Sequence, residues 1–273
     1  MKFKVQGSKF KPENSEPGTR NPERGTRNAK HNIRDVVLLH GWGSGSGIWD
    51  DLAPRLGPRF RVHALPLPGY DAVSARAVSS LQGTVEYVAR AAPRRCGVIG
   101  WSLGGEVALA WARRMPRQVQ RLALIATTPC FTGRPGWRCA TAPAVLDEFG
   151  RALLADRDGT LARFVAVQAR GDARAQQVAG VLRRLYKSGP PDEVLAAGLA
   201  VLSDTDLRRD LRRVMQPALV LHGARDCIVP PVAGRRLAQA LPNARFALLR
   251  TCAHAPFLSR SLQVATLVRE FFR

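Results

Sequence analysis

The sequence predicts an α/β protein: a mostly parallel central sheet with helices on both faces and a helical insertion over one edge. Three observations carry this. Short unbroken apolar runs recur from Asp35 onward, helix-length segments alternate with them, and residues 131–213 interrupt the alternation without any strand-like run. Strands buried on both faces read as continuous apolar runs, and strand-helix alternation makes neighbouring strands parallel. A chain of 273 residues with 45% hydrophobic content can bury a core of that size.

In chain order, the runs "VVLLHG" and "FRVHALPLPG" read as the first two strands, followed by a helix near residues 79–92. "CGVIG" is the next strand, Leu103 to Met115 a helix, and "VQRLALIATTP" another strand. The interruption that follows reads as three or four helices broken at Gly171 and Pro190-Pro191, a natural lid for a site at the C-terminal strand ends. Beyond it come "PALVLHG", a helix over about 231–241, "ARFALLR" and a last helix from about 261. The expected organisation is therefore a core of residues 33–130 and 214–273 with a lid over 131–213.

Residues 1–32 stand apart. They hold five of the six lysines and the tandem "GTRNPERGTRN", with almost no apolar residues after Phe10. Such a segment cannot offset its ordering entropy, so a disordered basic tail is expected.

The net charge of +21 raises the question of nucleic acid. The excess is spread along the chain: 8 basic against 3 acidic residues in 1–32, 12 against 6 in 33–130, 14 against 10 in 131–213, and 8 against 2 thereafter. No finger spacing, aromatic RNA-binding signature or basic heptad accompanies it, so nucleic-acid binding is not expected. No apolar stretch is long enough for a membrane span or a secretory signal, which makes a cytoplasmic protein the expectation. The five cysteines (Cys96, Cys130, Cys139, Cys227 and Cys252) are odd in number and widely spaced. They suggest neither disulfides nor a metal site and read as small buried hydrophobes.

The chemistry centres on Gly100-Trp101-Ser102-Leu103-Gly104. Ser102 falls between a strand and a helix, a sharp turn at which a serine hydroxyl is exposed and the following helix N-terminus faces a nascent oxyanion. Gly100 and Gly104 stand where a Cβ would collide. Serine needs a base, usually a histidine oriented by a carboxylate. Of the five histidines, His31 lies in the tail, His63 inside a strand, and His40 and His222 end strands just before glycine. His254, in "TCAHAPF", follows the last strand, where a base belongs in the chain order serine, acid, histidine. Among the carboxylates between them, Asp226 follows a strand of the main sheet. Asp204, Asp206 and Asp210 lie in a charged helical stretch and are the fallback. The loop "VVLLHGWGSGSG" supplies an oxyanion hole, with the Trp42 and Leu103 amides as donors and Gly41 and Gly43 allowing the turn.

With these residues placed, the chain resembles the α/β-hydrolase superfamily over residues 35–273. Within it the resemblance is to the pimeloyl-[acyl-carrier protein] methyl ester esterases, carried by "LLHGWG", "LPGY", "GWSLGG", "TTPCF", "RFVAVQ", "GLAVLSDTDLR" and "AHAPFLS" in family order. The resemblance implies an acyl chain held by Trp42, Ser102, Leu103, the stretch Phe164, Val165, Ala166, Val167 and Gln168, and His254. It implies a carrier-protein partner met by basic lid residues, of which Arg163 matches a family position. Others fall on Gly159, Gln176 and Gly180, with Arg170 and Arg174 as substitutes. Asp71 replaces the glycine that follows "LPGF" in the family, and the polar tail replaces the usual first strand.

The expected function is thus that of a cytoplasmic, monomeric serine carboxylesterase of biotin synthesis that removes the methyl ester of pimeloyl-[acyl-carrier protein] without cofactor or metal. A broad-specificity short-chain esterase or lipase with the same triad is the alternative. A non-catalytic binding protein on the same fold is the alternative of another class.

Overall fold

The computed structural model describes residues 33–70 and 78–273; the tail through residue 32 and Asp71 lie outside the described residues. Among the described residues, six strands form one sheet: β1 (Asp35–Leu39), β2 (Arg61–Leu65), β3 (Cys96–Trp101), β4 (Val119–Ile125), β5 (Ala218–Gly223) and β6 (Ala244–Leu249). Their order is β2-β1-β3-β4-β5-β6, and every pairing is parallel. The central strands β3 and β5 are buried along their whole length, whereas the edge strands β2 and β6 alternate with exposed positions. Among the described residues, β2 is the first edge of the sheet. The chain lays β2 on one side of β1 and then crosses to β3 on the other. A crevice opens where that direction reverses, beyond the C-terminal ends of β1 and β3.

Helices α1 (Leu81–Ala91) and α2 (Leu103–Arg114) fall close to the predicted segments. Ser80 caps α1 by accepting the Gly83 N–H at 3.1 Å. The lid comprises four helices, α3 (Pro143–Ala155), α4 (Arg157–Ala169), α5 (Ala175–Lys187) and α6 (Asp192–Asp204). Gly171, at φ 80°, lies just beyond α4, and Pro190-Pro191 stand immediately before α6. The chain closes with α7 (Pro231–Ala240), the short α8 (Pro256–Ser259), which the periodicity did not announce, and α9 (Ser261–Phe272). Lid residues such as Leu153, Val178, Leu182, Tyr186 and Leu195 share one buried apolar cluster with the sheet, so the lid is continuous with the core. No helix among the described residues is long and apolar enough to cross a membrane.

The turn from β3 to α2 is tight. Ser102 adopts φ 53° and ψ −120°, a conformation that costs a residue with a Cβ about 1–3 kcal/mol. Its N–H donates to Ile125 O at 3.0 Å, and its carbonyl accepts from Thr127 Oγ1 at 2.7 Å and Gly105 N at 2.8 Å. A Cβ on Gly100 would overlap the Gly104 carbonyl, and one on Gly104 would overlap the carbonyls of Leu39 and His40. Glycine at both positions lets α2 start against β3 and β1.

One turn further, Glu106 is fully buried, and neither carboxyl oxygen has a hydrogen-bond partner among the described residues. Burial pushes its pKa well above the usual carboxylate range.

Two predictions follow from this junction. Ser102→Gly should exceed Ser102→Ala in stability by about 1 kcal/mol in urea unfolding, because glycine relieves the positive φ at a smaller entropic cost; equal stabilities would show an unstrained turn. For Glu106 the folded pKa is raised, so the stability it carries is complete below its unfolded pKa and is lost as pH rises toward the folded value. Glu106→Gln should therefore melt above wild type at pH 8, with the gap closing by about pH 4. A gap independent of pH would place the ionised form in the folded protein.

Candidate active site

The C-terminal strand ends bring together residues far apart in sequence. Asp226, three residues after β5, accepts a hydrogen bond at Oδ2 from His254 Nδ1 at 2.9 Å, with both groups buried. Because Nδ1 holds its proton toward the carboxylate, Nε2 is the free basic nitrogen of the ring. Oδ1 of Asp226 accepts the N–H groups of Ile228 at 2.9 Å and Val229 at 3.0 Å. His222 Nε2 lies 2.8 Å from Val229 O, to which it donates, and 3.2 Å from Asp226 Oδ2. Burial alone would raise the Asp226 pKa. Electrostatic attraction to the His254 ring and the hydrogen bonds from His222 and His254 outweigh it, holding the carboxyl well below the usual carboxylate range. Two of the three alternative acids are engaged elsewhere, Asp206 with Arg208 and Asp210 with Arg113.

Ser102 and His254 both open onto a cavity of about 400 Å³ between the sheet edge and the lid. No hydrogen bond joins the Ser102 hydroxyl to His254 in this structure; catalytic hydrogen bonds are often long without substrate. The His254 backbone is held on both sides. Its carbonyl accepts from Trp101 Nε1 at 2.8 Å, and its N–H donates to Gln168 O in the lid at 3.2 Å. Two more lid contacts flank it: Ala253 N–H to Asp172 Oδ2 at 2.8 Å, and Ala173 N–H to Thr251 O at 2.9 Å.

The loop after β1 is fixed with equal care. The Gly41 carbonyl accepts from His40 Nδ1 at 2.8 Å and Ser44 Oγ at 3.1 Å, while His40 Nε2 accepts the Leu67 N–H at 3.0 Å. Burial lowers the His40 pKa to about 4, more than its backbone hydrogen bond to Gly41 raises it, so the ring stays neutral with one donor and one acceptor nitrogen. A trans peptide directs its C=O and N–H to opposite sides, so anchoring Gly41 O turns the Trp42 N–H away from His40. No acceptor among the described residues takes the N–H of Trp42 or of Leu103.

The cavity walls are largely apolar. Trp42, Phe164, Val167 and Gln168 line them, with the Trp42 and Phe164 rings edge to face at 5.3 Å. Two expected wall residues lie elsewhere: Val165 is buried in the apolar core and Ala166 is exposed, because successive helical residues turn by about 100° onto different faces. The Leu103 side chain also points elsewhere, into a small hollow with Pro68, Tyr70 and Val194. Arg163 reaches the cavity and donates to Thr160 Oγ1 at 2.8 Å, whereas Arg170 and Arg174 are exposed beyond α4. Cys96, Cys130 and Cys252 are buried as expected. Cys139 is half-buried, and Cys227 is exposed and borders the cavity, since the turn that buries Asp226 points its neighbour outward.

Sequence reasoning gave no role to His40, Tyr70, Trp101, Asp172, Tyr186 or His222. One signal was present: "LLHG" and "VLHG" end β1 and β5 alike, and in each the histidine pins the loop that follows.

The comparisons with known proteins agree with the fold. Residues 36–261 match the model of the alpha/beta hydrolase fold family. Curated relatives include the pimeloyl-[acyl-carrier protein] methyl ester esterases of Nitrosomonas europaea, 42% identical over 82% of this chain and 90% of the relative, and of Aromatoleum aromaticum, 41% identical over 89% and 99%. Among solved structures, an esterase from Exiguobacterium antarcticum superposes with a TM-score of 0.80 at 20% identity, covering 88% of this chain and 91% of its own. An enol-lactonase from Burkholderia xenovorans does so at 0.76 and 23%, with the same coverage; at these identities the likeness shows the fold. By the family match and the identity to its curated relatives, the chain belongs to the alpha/beta hydrolase family, in the group of the pimeloyl-[acyl-carrier protein] methyl ester esterases.

Proposed function

We propose that this chain is a serine carboxylesterase that hydrolyses the methyl ester of pimeloyl-[acyl-carrier protein], giving pimeloyl-[acyl-carrier protein] and methanol in biotin synthesis. The observation that carries the reading is the buried Asp226–His254 pair at 2.9 Å, with His254 and Ser102 opening onto one largely apolar cavity. The shared name of the curated relatives supports the substrate.

In the proposed reaction, Ser102 Oγ attacks the ester carbonyl as its proton passes to His254 Nε2. The oxyanion accepts from the Trp42 and Leu103 N–H groups, the second at the N-terminus of α2. Asp226, ionised throughout, stabilises the imidazolium. His254 then returns its proton to the departing methoxide, releasing methanol and leaving the acyl group on Ser102. Water attacks that ester with His254 again as base, and the collapse frees the carboxylate and restores Ser102. Each step uses a group of the chain, so the reaction calls for no cofactor or metal.

Burying about five methylenes of the acyl chain against Trp42, Phe164 and Val167 is worth roughly 4 kcal/mol, enough to hold the ester but not to trap it. The carrier protein is the proposed partner, met by Arg163, Arg170 and Arg174 at and beyond α4. The basic surface would act through steering more than net affinity. One chain holds every group the reaction uses, so the reading extends to a monomer, acting in the cytoplasm.

Mass spectrometry of methyl-pimeloyl-carrier protein after incubation tests the substrate: loss of the methyl group with the thioester intact is the expected result. No change beside good activity on simple esters would favour a generalist esterase, and inertness toward every ester a binding protein. Asp226→Asn should lower kcat by about 10³- to 10⁴-fold in a folded protein, since the histidine tautomer and imidazolium lose their partner; a loss below about tenfold would remove Asp226 from the triad. The double change Arg170→Ala with Arg174→Ala should raise KM for the carrier-borne ester by about three- to tenfold at low salt and less at high salt. KM for a small ester should not move.

A further inference from the structure

We propose that Tyr186, on the lid helix α5, is a positioning residue of the reaction: its hydroxyl fixes the backbone of the oxyanion loop and, through Gln168, ties that loop to the one carrying His254. This rests on the esterase reading above and assigns the lid a part in the chemistry beyond enclosing the acyl chain.

Tyr186 is 3% exposed. Its hydroxyl donates to Trp42 O at 2.8 Å and accepts from Gln168 Nε2 at 3.1 Å. The backbone carbonyl of the same Gln168 accepts the His254 N–H at 3.2 Å. An unbroken path therefore runs from the backbone of the base, through two lid side chains, to the loop that supplies an oxyanion donor. Burial holds the phenol well above its ordinary pKa, so the hydroxyl keeps the proton that it donates to Trp42.

The site of attachment distinguishes this contact from ordinary core packing. The Trp42 carbonyl and the Gly43 N–H are two edges of one peptide plane. Tyr186 takes the first, and Tyr70 Oη accepts the second at 2.7 Å. The preceding plane, which carries the Trp42 N–H, is held at the Gly41 carbonyl by His40 and Ser44. With both flanking planes fixed, the dihedral angles of Trp42 have no freedom left, and its N–H direction is set. Gly43, at φ 79°, is required beneath the ring, since a Cβ there would strike the Tyr186 ring. The Trp42 indole is tied to the lid as well, donating to Leu195 O at 2.8 Å. An oxyanion donor acts only when aimed at the position the charge will occupy, and a displacement of about 1 Å can cost about 100-fold in rate.

Tyr186→Phe keeps the ring and removes the hydroxyl. With a short activated ester that does not reach the lid, kcat should fall about 10- to 100-fold while KM stays within about twofold. Inhibition by a trifluoromethyl ketone, which forms an oxyanion on Ser102, should weaken by a comparable factor. The corresponding alcohol, which forms none, should bind as before. Unchanged kcat, a rise in KM alone, or equal weakening of both inhibitors would make Tyr186 a structural or wall residue and overturn the proposal. If Tyr186→Phe does not fold, Gln168→Met, which frees the Tyr186 hydroxyl from its donor, should show the same preference for kcat over KM at about three- to tenfold, and no preference would overturn it. A wild type inert toward every ester would instead remove the esterase reading on which this rests.

Discussion

Ser102 stands in a backbone conformation that a residue with a Cβ avoids, and much of the surrounding structure is what that conformation requires. Holding φ at 53° needs hydrogen bonds on both sides of the residue, which β4 supplies through the Ile125 carbonyl and the following loop through Thr127. It also needs α2 to begin almost in contact with β1 and β3, which is why glycine occupies positions 100 and 104. The strain of about 1–3 kcal/mol is small beside the burial of the whole of β3 between its neighbours. In exchange the hydroxyl faces the cavity at the N-terminal end of a helix.

A second consequence concerns the lid. An insertion between two strands of a sheet is often an independent cap, but here it donates and accepts hydrogen bonds at both loops of the site. Gln168, Asp172 and Ala173 hold the backbone around His254, and Tyr186 and Leu195 hold Trp42. Since the same helices also line the cavity, the shape that receives the ester and the geometry that cleaves it are built from one set of contacts. A change in lid packing therefore reaches the reacting groups without crossing the sheet.

Two fully buried carboxyl groups show how surroundings decide charge. Asp226 faces two histidines and two backbone N–H groups and is held ionised; Glu106 faces none and is held neutral. Burial disfavours the charged form of both, so the histidines and hydrogen-bond donors around Asp226 separate it from Glu106. The charged one orients His254, and the neutral one leaves the field at the start of α2 undisturbed. His40 follows the same rule in the opposite sense, kept neutral by burial so that its two nitrogens can bridge two loops.

Most of the sheet, the strand-to-helix turn at Ser102 and the places of Asp226 and His254 were legible in the sequence. Apolar periodicity and glycine punctuation are local properties, and in a parallel sheet every strand end points to the same edge. The short helix after His254 escaped because four residues carry no periodic signal. So did the burial of Val165 and the exposure of Ala166, which depend on how α4 is rotated against its neighbours. Tyr186 was equally silent: it meets Trp42 across 144 positions of sequence, and nothing in the residues near either one records the meeting. By itself, the sequence determined which residue types stand at the strand ends, because backbone conformation and spacing are set locally. Only the tertiary structure decided which distant side chains hold them, because close packing selects those partners once the helices have settled on the sheet.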